Sequence, residues 1–456
     1  MLENLKKIIG SIDADYADLR YEIKSVERVG ISKKEIKGSG SNSGDGYVLR
    51  VLKNGGLATV AFTKPEQAEI AVKKALANAQ ILSSAQKEAT RIAATPVIKE
   101  TYRPVLEIDP RTISLPDKIE ITRHYSDLLS ARPFIANVEL EYSDTIRNKY
   151  FVNSEGSEIC EELVTTKLGG SVISQDGSLT QTVRMAFGGS DGFWRVQNRE
   201  AEALDKARIA ADLLKAVPVT AGNYKIILNP GMAGVFTHEA FGHFSEADIV
   251  RDLPSLRDKM QLGTKLGSDI LTIIDDATMA KQLGFYKYDD DGVAVRRVNL
   301  MTNGVLTARL HNRFTAAEMN EPLTGHSIAE DFRYAPIVRM GNIFIQPGDK
   351  SFDELMQIMG DGLYLCEPMG GQTSGENFTF GANHGYLVKN GKISGMIRDI
   401  NVVGNLYKTL AGISAVGSDF VLKEAGGCGK GQTNIRSCFG GPHVLVNELT
   451  VGGSAH

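Results

Sequence analysis

Residues 224–248 read YKIILNPGMAGVFTHEAFGHFSEAD. Residues 224–228 are a short apolar β-run that leads straight into Asn229 and Pro230, the residue types favoured at a helix N-cap and in its first turn. A strand followed at once by a helix is therefore expected, with His238 in about the third turn. His238, Glu239 and His243 form a His-Glu-x-x-x-His pattern. It resembles the shorter zinc-peptidase motif but places one more residue between the histidines.

That extra residue has a geometric cost. Four residues apart, two side chains nearly align on an α-helix, whereas five apart they point about 140° away from each other. Gly242, just before His243, offers a remedy: it can leave helical geometry cheaply, or the turn can widen into a π-bulge of the kind found at functional sites. Local irregularity over 240–243 is predicted. Glu239 beside the first histidine has the chemistry of a general base on metal-bound water. Two histidines leave a catalytic site one ligand short, and the residues alone leave three candidates. Glu246 and Asp248 are close in sequence, and Cys428 lies far away in the glycine-dense KEAGGCGKGQ (423–432).

Around this stretch, turn chemistry points to antiparallel pairing. GYVLRVLKNGGLATVAFT (46–63) places Asn54-Gly55-Gly56 between two β-rich runs, and DDDGVAVRRVNLMTNGVLTARL (289–310) carries a second Asn-Gly turn at Asn303-Gly304. β-runs are also expected at YKIIL, DILTIID (269–275) and NIFIQPG (342–348). Helices are expected near the N-terminus, over 65–80, up to about Ser130, and over 200–216. Runs of strands with few helices argue for an α+β fold rather than a doubly wound sheet. An N-terminal α/β region of helices and antiparallel hairpins spans 1–216. A helix-then-meander order recurs in 1–95 and 117–216, the pattern a diverged repeat would leave. A β-rich C-terminal domain, with the histidines, spans 217–456.

Composition narrows the function classes. The chain has 456 residues, 42% hydrophobic and 23% charged, with a formal charge of −4. Its cations are dispersed, so no nucleic-acid footprint is visible. The first residues lack a signal-peptide pattern and no window approaches a membrane span, so a cytoplasmic protein with no membrane partner is expected. Four cysteines in such a chain suit reduced thiols, which leaves a thiolate ligand available. Asp289-Asp290-Asp291-Gly292 lacks the ligand spacing of a calcium loop and reads as a turn. There is no nucleophile elbow. EPMGGQTSGENF (367–378), with Gly371 and Gln372, reads as a wall of the site.

Taken together, HEAFGHFSEAD (238–248), the Gly-Cys-Gly-Lys-x-Gln run (427–432) and the ending LTVGGSA (449–455) resemble the TldD branch of the TldD/PmbA family. The resemblance implies a zinc-dependent peptidase acting on extended or unfolded peptides. It also implies His238, His243 and Cys428 as metal ligands, Glu239 as catalytic glutamate, and a homodimer or a heterodimer with a PmbA-type subunit. Glu246 and Asp248 then become candidates for substrate contact or for support behind the ligands. TNIRSCFGGPHVLV (433–446) departs from the Pro-Val-Gly-type stretch usual for the branch, which bears on substrate preference, and Cys438 and His443 are extra groups expected near the site. Two rivals remain from the residues: a non-catalytic partner subunit with a structural metal, and an iron oxygenase using two histidines and a carboxylate.

Overall fold

Long antiparallel ribbons dominate the first half of the chain, which a computed structural model describes over residues 1–424 and 426–453. Ser454 and Ala455 of the terminal motif lie outside the described residues. β1 (Tyr16–Ser32) pairs along its length with β2 (Glu35–Lys53), which turns into β3 (Gly56–Phe62). Asn54 and Gly55 take φ of +49° and +81°, the left-handed pair that a two-residue hairpin turn requires. After β4 (Lys99–Tyr102) come β5 (Ile135–Asn153), β6 (Glu158–Asp176) and β7 (Leu179–Gly189). The sheet order is β3-β2-β1-β5-β6, with β4 and β7 both on β6.

Four helices cover this sheet: α1 (Leu2–Gly10), α2 (Ala68–Ala85), α3 (Leu115–Ser130) and α4 (Glu200–Leu213). The order helix, three-stranded meander, helix thus occurs twice, and the first strands of the two units pair with each other. On α2, Ala71, Ala75 and Ala79 share one face, so the helix lies close against the β2–β3 hairpin. α3 and α4 bury Tyr125, Leu129, Ala210 and Leu213 against Val172 and Phe187 of the second meander.

In the second half, five strands close on themselves: Gly362–Ser374, Gly222–Leu228, Val444–Gly453, Ile400–Asn405 and Asn377–Lys389, the last pairing back to the first. Beside this barrel stands a six-stranded sheet that includes Ile273–Asp276, Asn342–Ile345 and Cys438–Gly441. The helix α5 (Pro230–Phe236), buried along its whole length, packs between the barrel strand Gly362–Ser374 and the sheet strand Cys438–Gly441. One hydrophobic core runs through all three, from Phe236 and Phe241 to Phe378, Ile343 and Val446.

Several expectations need correction. β2 begins at Glu35, well before the β-run read at Gly46, because main-chain pairing to β1 holds the exposed, glycine- and serine-rich 35–44 without a buried face. Of DILTIID only Ile273 onward is strand. The helix expected over 65–80 starts as a 3₁₀ turn at Pro65–Gln67 and runs on to Ala85. Pairing is not wholly antiparallel: Gly222–Leu228 runs parallel to Gly362–Ser374, and Asn342–Ile345 parallel to Cys438–Gly441. Among the described residues, no helix is long and apolar enough to cross a membrane.

Candidate metal centre

The barrel strand Gly222–Leu228 delivers the chain to Asn229, whose side chain accepts a hydrogen bond from the Met232 N–H at 2.9 Å and starts α5. α5 keeps α geometry only to Phe236. Thr237–Gly242 is a π-helical turn, and His243–Ser245 a 3₁₀ turn. The His243 N–H donates to the His238 carbonyl, so residues five apart are joined across one widened turn. That brings the two imidazoles together, with ring centroids 5.2 Å apart.

The expected irregularity is present, but Gly242 supplies it differently from the reading above. Its φ of −58° is ordinary helix, so no conformational freedom is used. Space is the reason for glycine here: a Cβ would overlap the Met340 sulfur and come within 2.9 Å of Ile343 Cδ1.

Cys428 reaches the histidines from a loop pinned by two reciprocal backbone hydrogen bonds to Ile435, each 3.0 Å. Its Sγ lies 3.5 Å from His243 Nε2. One ligand atom each from His238, His243 and Cys428 lies within 4.8 Å of the other two, and no fourth His, Cys, Asp or Glu among the described residues joins them. Burial pushes the Cys428 thiol up, but hydrogen bonds from His238 and His243 outweigh it and bring it down to about 4. His243 shows the converse: burial lowers it, and the bonds to Cys428 and Glu246 raise it to about 9.

Two imidazoles and a thiolate form a donor set suited to zinc, and three protein ligands leave the fourth position open. The buried His238 Nδ1 has no hydrogen-bond partner, so nothing in the protein ties up the ring on that side. The residues therefore fit a zinc ion.

Glu246 and Asp248 stand behind the three donors. Glu246, fully buried, accepts from His243 Nδ1 at 3.2 Å, which leaves His243 Nε2 facing Cys428. Lys430 Nζ lies 3.0 Å from Glu246 and 2.9 Å from Asp248, and donates to the Val338 carbonyl at 2.7 Å. Arg339, also fully buried, is 3.6 Å from Glu246. Burial raises the Glu246 carboxyl, but His243, Lys430 and Arg339 hold it at about 2. Lys430 and Arg339 escaped the sequence reading. Lys430 had a signal, a lone cation two residues beyond Cys428 with two carboxylates to satisfy, whereas Arg339 had none.

Glu239 is part-exposed, its Oε2 3.8 Å from His243 Nε2. It opens onto a cavity of about 660 Å³ between the N-terminal sheet, at Gly169 and Ala186, and the C-terminal half, at Pro368, Gly371 and Phe439. Thr373, near the end of the barrel strand Gly362–Ser374, donates to the Glu239 carbonyl at 2.8 Å, so the 367–378 hairpin packs against Glu239. Gly371 lines the cavity. Gln372 is exposed beside it and is not among the lining residues.

The extra groups lie outside the donor set. Cys438 is buried and its thiol faces the Lys423 carbonyl, with burial pushing it up to about 12. His443 is held between Asp419, at 2.8 Å, and the Tyr364 hydroxyl, at 2.9 Å. A closed structural site would take its fourth ligand from Cys438, His443 or Glu246, and none of the three joins the donor set.

Residues 17–79, 108–216 and 221–453 match, in order, domain 1, the central domain and the C-terminal domain of the PmbA/TldA metallopeptidases. The chain belongs to the PmbA/TldD metallopeptidase family. A metalloprotease of Methanocaldococcus jannaschii is 35% identical over 96% of this chain and 97% of its own length. A metalloprotease of Synechocystis sp. is 31% identical over 99% and 98%, and a zinc metalloprotease TldD homolog of Saccharolobus solfataricus is 30% identical over 99% and 100%. The fold is shared with solved structures: TldE from Thermococcus kodakarensis superposes with a TM-score of 0.78 at 16% identity, covering 99% of each chain. A putative modulator of DNA gyrase from Thermotoga maritima superposes with a TM-score of 0.79 at 21% identity, covering 96% of each.

Proposed function

We propose that this chain is a zinc-dependent peptidase that hydrolyses extended or unfolded peptides. The reading takes His238, His243 and Cys428 as the metal ligands and Glu239 as general base. The observation that carries it is the meeting of three donor atoms within 4.8 Å beside a glutamate that opens onto a cavity. Bound there, zinc would polarise the scissile carbonyl and make water acidic enough to lose a proton near neutral pH. Glu239 takes that proton on its carboxylate and returns it to the leaving amine. Glu246 fixes the His243 ring, and the strand Gly362–Ser374 positions Glu239 through Thr373. In this reading 1–216 comprises two similar units, 1–95 and 117–216, that cover the metal domain 217–456.

Four free cysteines suit a reducing cytoplasm. We take the working form to be a dimer, with itself or with a PmbA-type subunit, and light scattering with and without that subunit checks this.

The deciding experiment is elemental analysis beside peptide hydrolysis for wild type, His238→Ala, Cys428→Ser and Glu239→Gln. About one zinc per chain is expected in wild type and Glu239→Gln, and loss of metal in the other two. Glu239→Gln should lose turnover while keeping its metal. A fully active Gln variant, or stoichiometric zinc without Cys428, would sink these assignments.

A further inference from the structure

Behind the cavity at Glu239 lies a second one of about 280 Å³, also between the N-terminal sheet and the C-terminal half. The two share Glu141, Ser143, Lys167, Gly426 and Asn434 in their walls, so they are adjacent and Lys167 stands in the wall common to both. The outer cavity has the size of sites that hold a drug-sized ligand, roughly 300–1,000 Å³. The inner one falls just below that range and suits a terminal group or one side chain.

Its lining is strongly cationic. Lys24, Arg28, Arg147, Lys149, Lys167 and Arg436 face it, against the carboxylates of Glu141 and Glu330. Lys24, Arg147 and Lys149 are already paired with carboxylates. Lys167 and Arg436 are not. Lys167 donates to the Gly426 carbonyl at 2.8 Å. Arg436 donates to Ser190 Oγ at 2.7 Å and the Leu283 carbonyl at 3.1 Å. Both hold only neutral partners among the described residues. Half-buried cations with no carboxylate in contact are costly, and burial followed by repulsion from Arg436 lowers Lys167 to about 8. Burial, with Arg147 nearby, likewise lowers Arg436 to about 10. An anion entering the cavity would relieve both.

We propose that the inner cavity is a subsite for a carboxylate of the bound peptide, with Lys167 and Arg436 as the residues that select it. The carboxylate is the peptide's C-terminus or an Asp or Glu side chain; both present the same planar acceptor to a guanidinium and an ammonium. The subsite rests on the peptidase reading above and deepens it, since it turns a site indifferent to its peptide into one that selects a free C-terminus or an acidic side chain.

The test uses the zinc-loaded Glu239→Gln protein as a non-cleaving trap and random heptapeptide pools of four kinds. These are unmodified, C-terminally amidated, free of Asp and Glu, and both amidated and free of Asp and Glu. Peptides retained are counted by mass spectrometry. The pool with no carboxylate should be retained at least about tenfold less than the unmodified one. The two intermediate pools say which source is read. Lys167→Gln and Arg436→Gln, each in the same background, should shrink that ratio towards one, and Lys167→Arg should restore it. A structural role alone would weaken all pools together. Equal retention of all four pools overturns the subsite while leaving the peptidase reading intact, and retention of none overturns that reading and the subsite with it.

Discussion

Glu246 shows how much of the site depends on a residue outside the donor set. It is the acceptor for His243 Nδ1 and the counter-charge for Lys430 and Arg339. Glu246→Gln keeps the shape but removes the anion, so His243 loses its fixed tautomer and Arg339, fully buried, loses the carboxylate nearest to it. Loss of such an orienting partner costs about ten- to a hundredfold in metal affinity, and an unpaired buried cation costs about 3–5 kcal/mol. Competition against a chromophoric zinc chelator measures the first, and urea unfolding the second. Unchanged metal affinity would show that His243 needs no orienting anion. At this scale the sequence was legible where chemistry sits in adjacent residues, as at His238, Glu239 and His243. It was illegible where the fold joins distant ones: Cys428 is 185 residues from His243, and only family resemblance selected it over Glu246 and Asp248.

The element that matters most is the α-to-π-to-3₁₀ succession from Pro230 to Ser245. The spacing of the histidines called for a departure from α-helix, and the departure was legible because a shared metal and a regular helix are incompatible at five residues. Its cause was not legible, since the constraint on Gly242 comes from Met340 and Ile343, about a hundred residues on, in packing no local pattern encodes. Gly242→Ala tests this. The added methyl must displace Met340 in a filled core, a strain of about 1–3 kcal/mol, and the widened turn has to shift with it. A lowered urea midpoint together with weakened zinc binding is expected. A normal midpoint with normal binding would show that Met340 and Ile343 yield to the methyl and that glycine is not required at this position. The hairpins at Asn54 and Asn303 were legible for the opposite reason, because a two-residue turn is a wholly local device. The early part of β2 was not, because its residues bury no face and only pairing to β1 makes it a strand.

Across the whole molecule, the N-terminal sheet is fastened to the C-terminal half by buried charge. Asp290, read from sequence as part of a plain turn, does sit in one, and it is also fully buried and faces Arg20 at 2.9 Å, Arg147 at 3.2 Å and Lys149 at 3.2 Å, all from β1 and β5. Asp291 adds a pair with Arg50 of β2 at 2.6 Å. Nothing in a run of three aspartates says that its cations lie more than a hundred residues upstream, which is why this joint was invisible before the fold was known. Burial opposes ionisation of Asp290, but the three cations win and hold its carboxyl far below the ordinary range. Asp290→Asn leaves Arg20, Arg147 and Lys149 buried with one anion fewer, and should cost about 3–5 kcal/mol. The sign with pH follows from the depressed value. The contribution of Asp290 is complete above the unfolded carboxyl's pKa of about 3.9 and is lost as pH falls towards the folded one. Wild type and Asp290→Asn should therefore differ fully at pH 7 and converge in acid, as read from urea midpoints at each pH. Because the cavities beside Glu239 lie in the same seam, zinc-loaded Asp290→Asn should also lose peptide hydrolysis before it loses metal. A variant that loses metal first would place the weak point in the metal domain itself rather than in the joint.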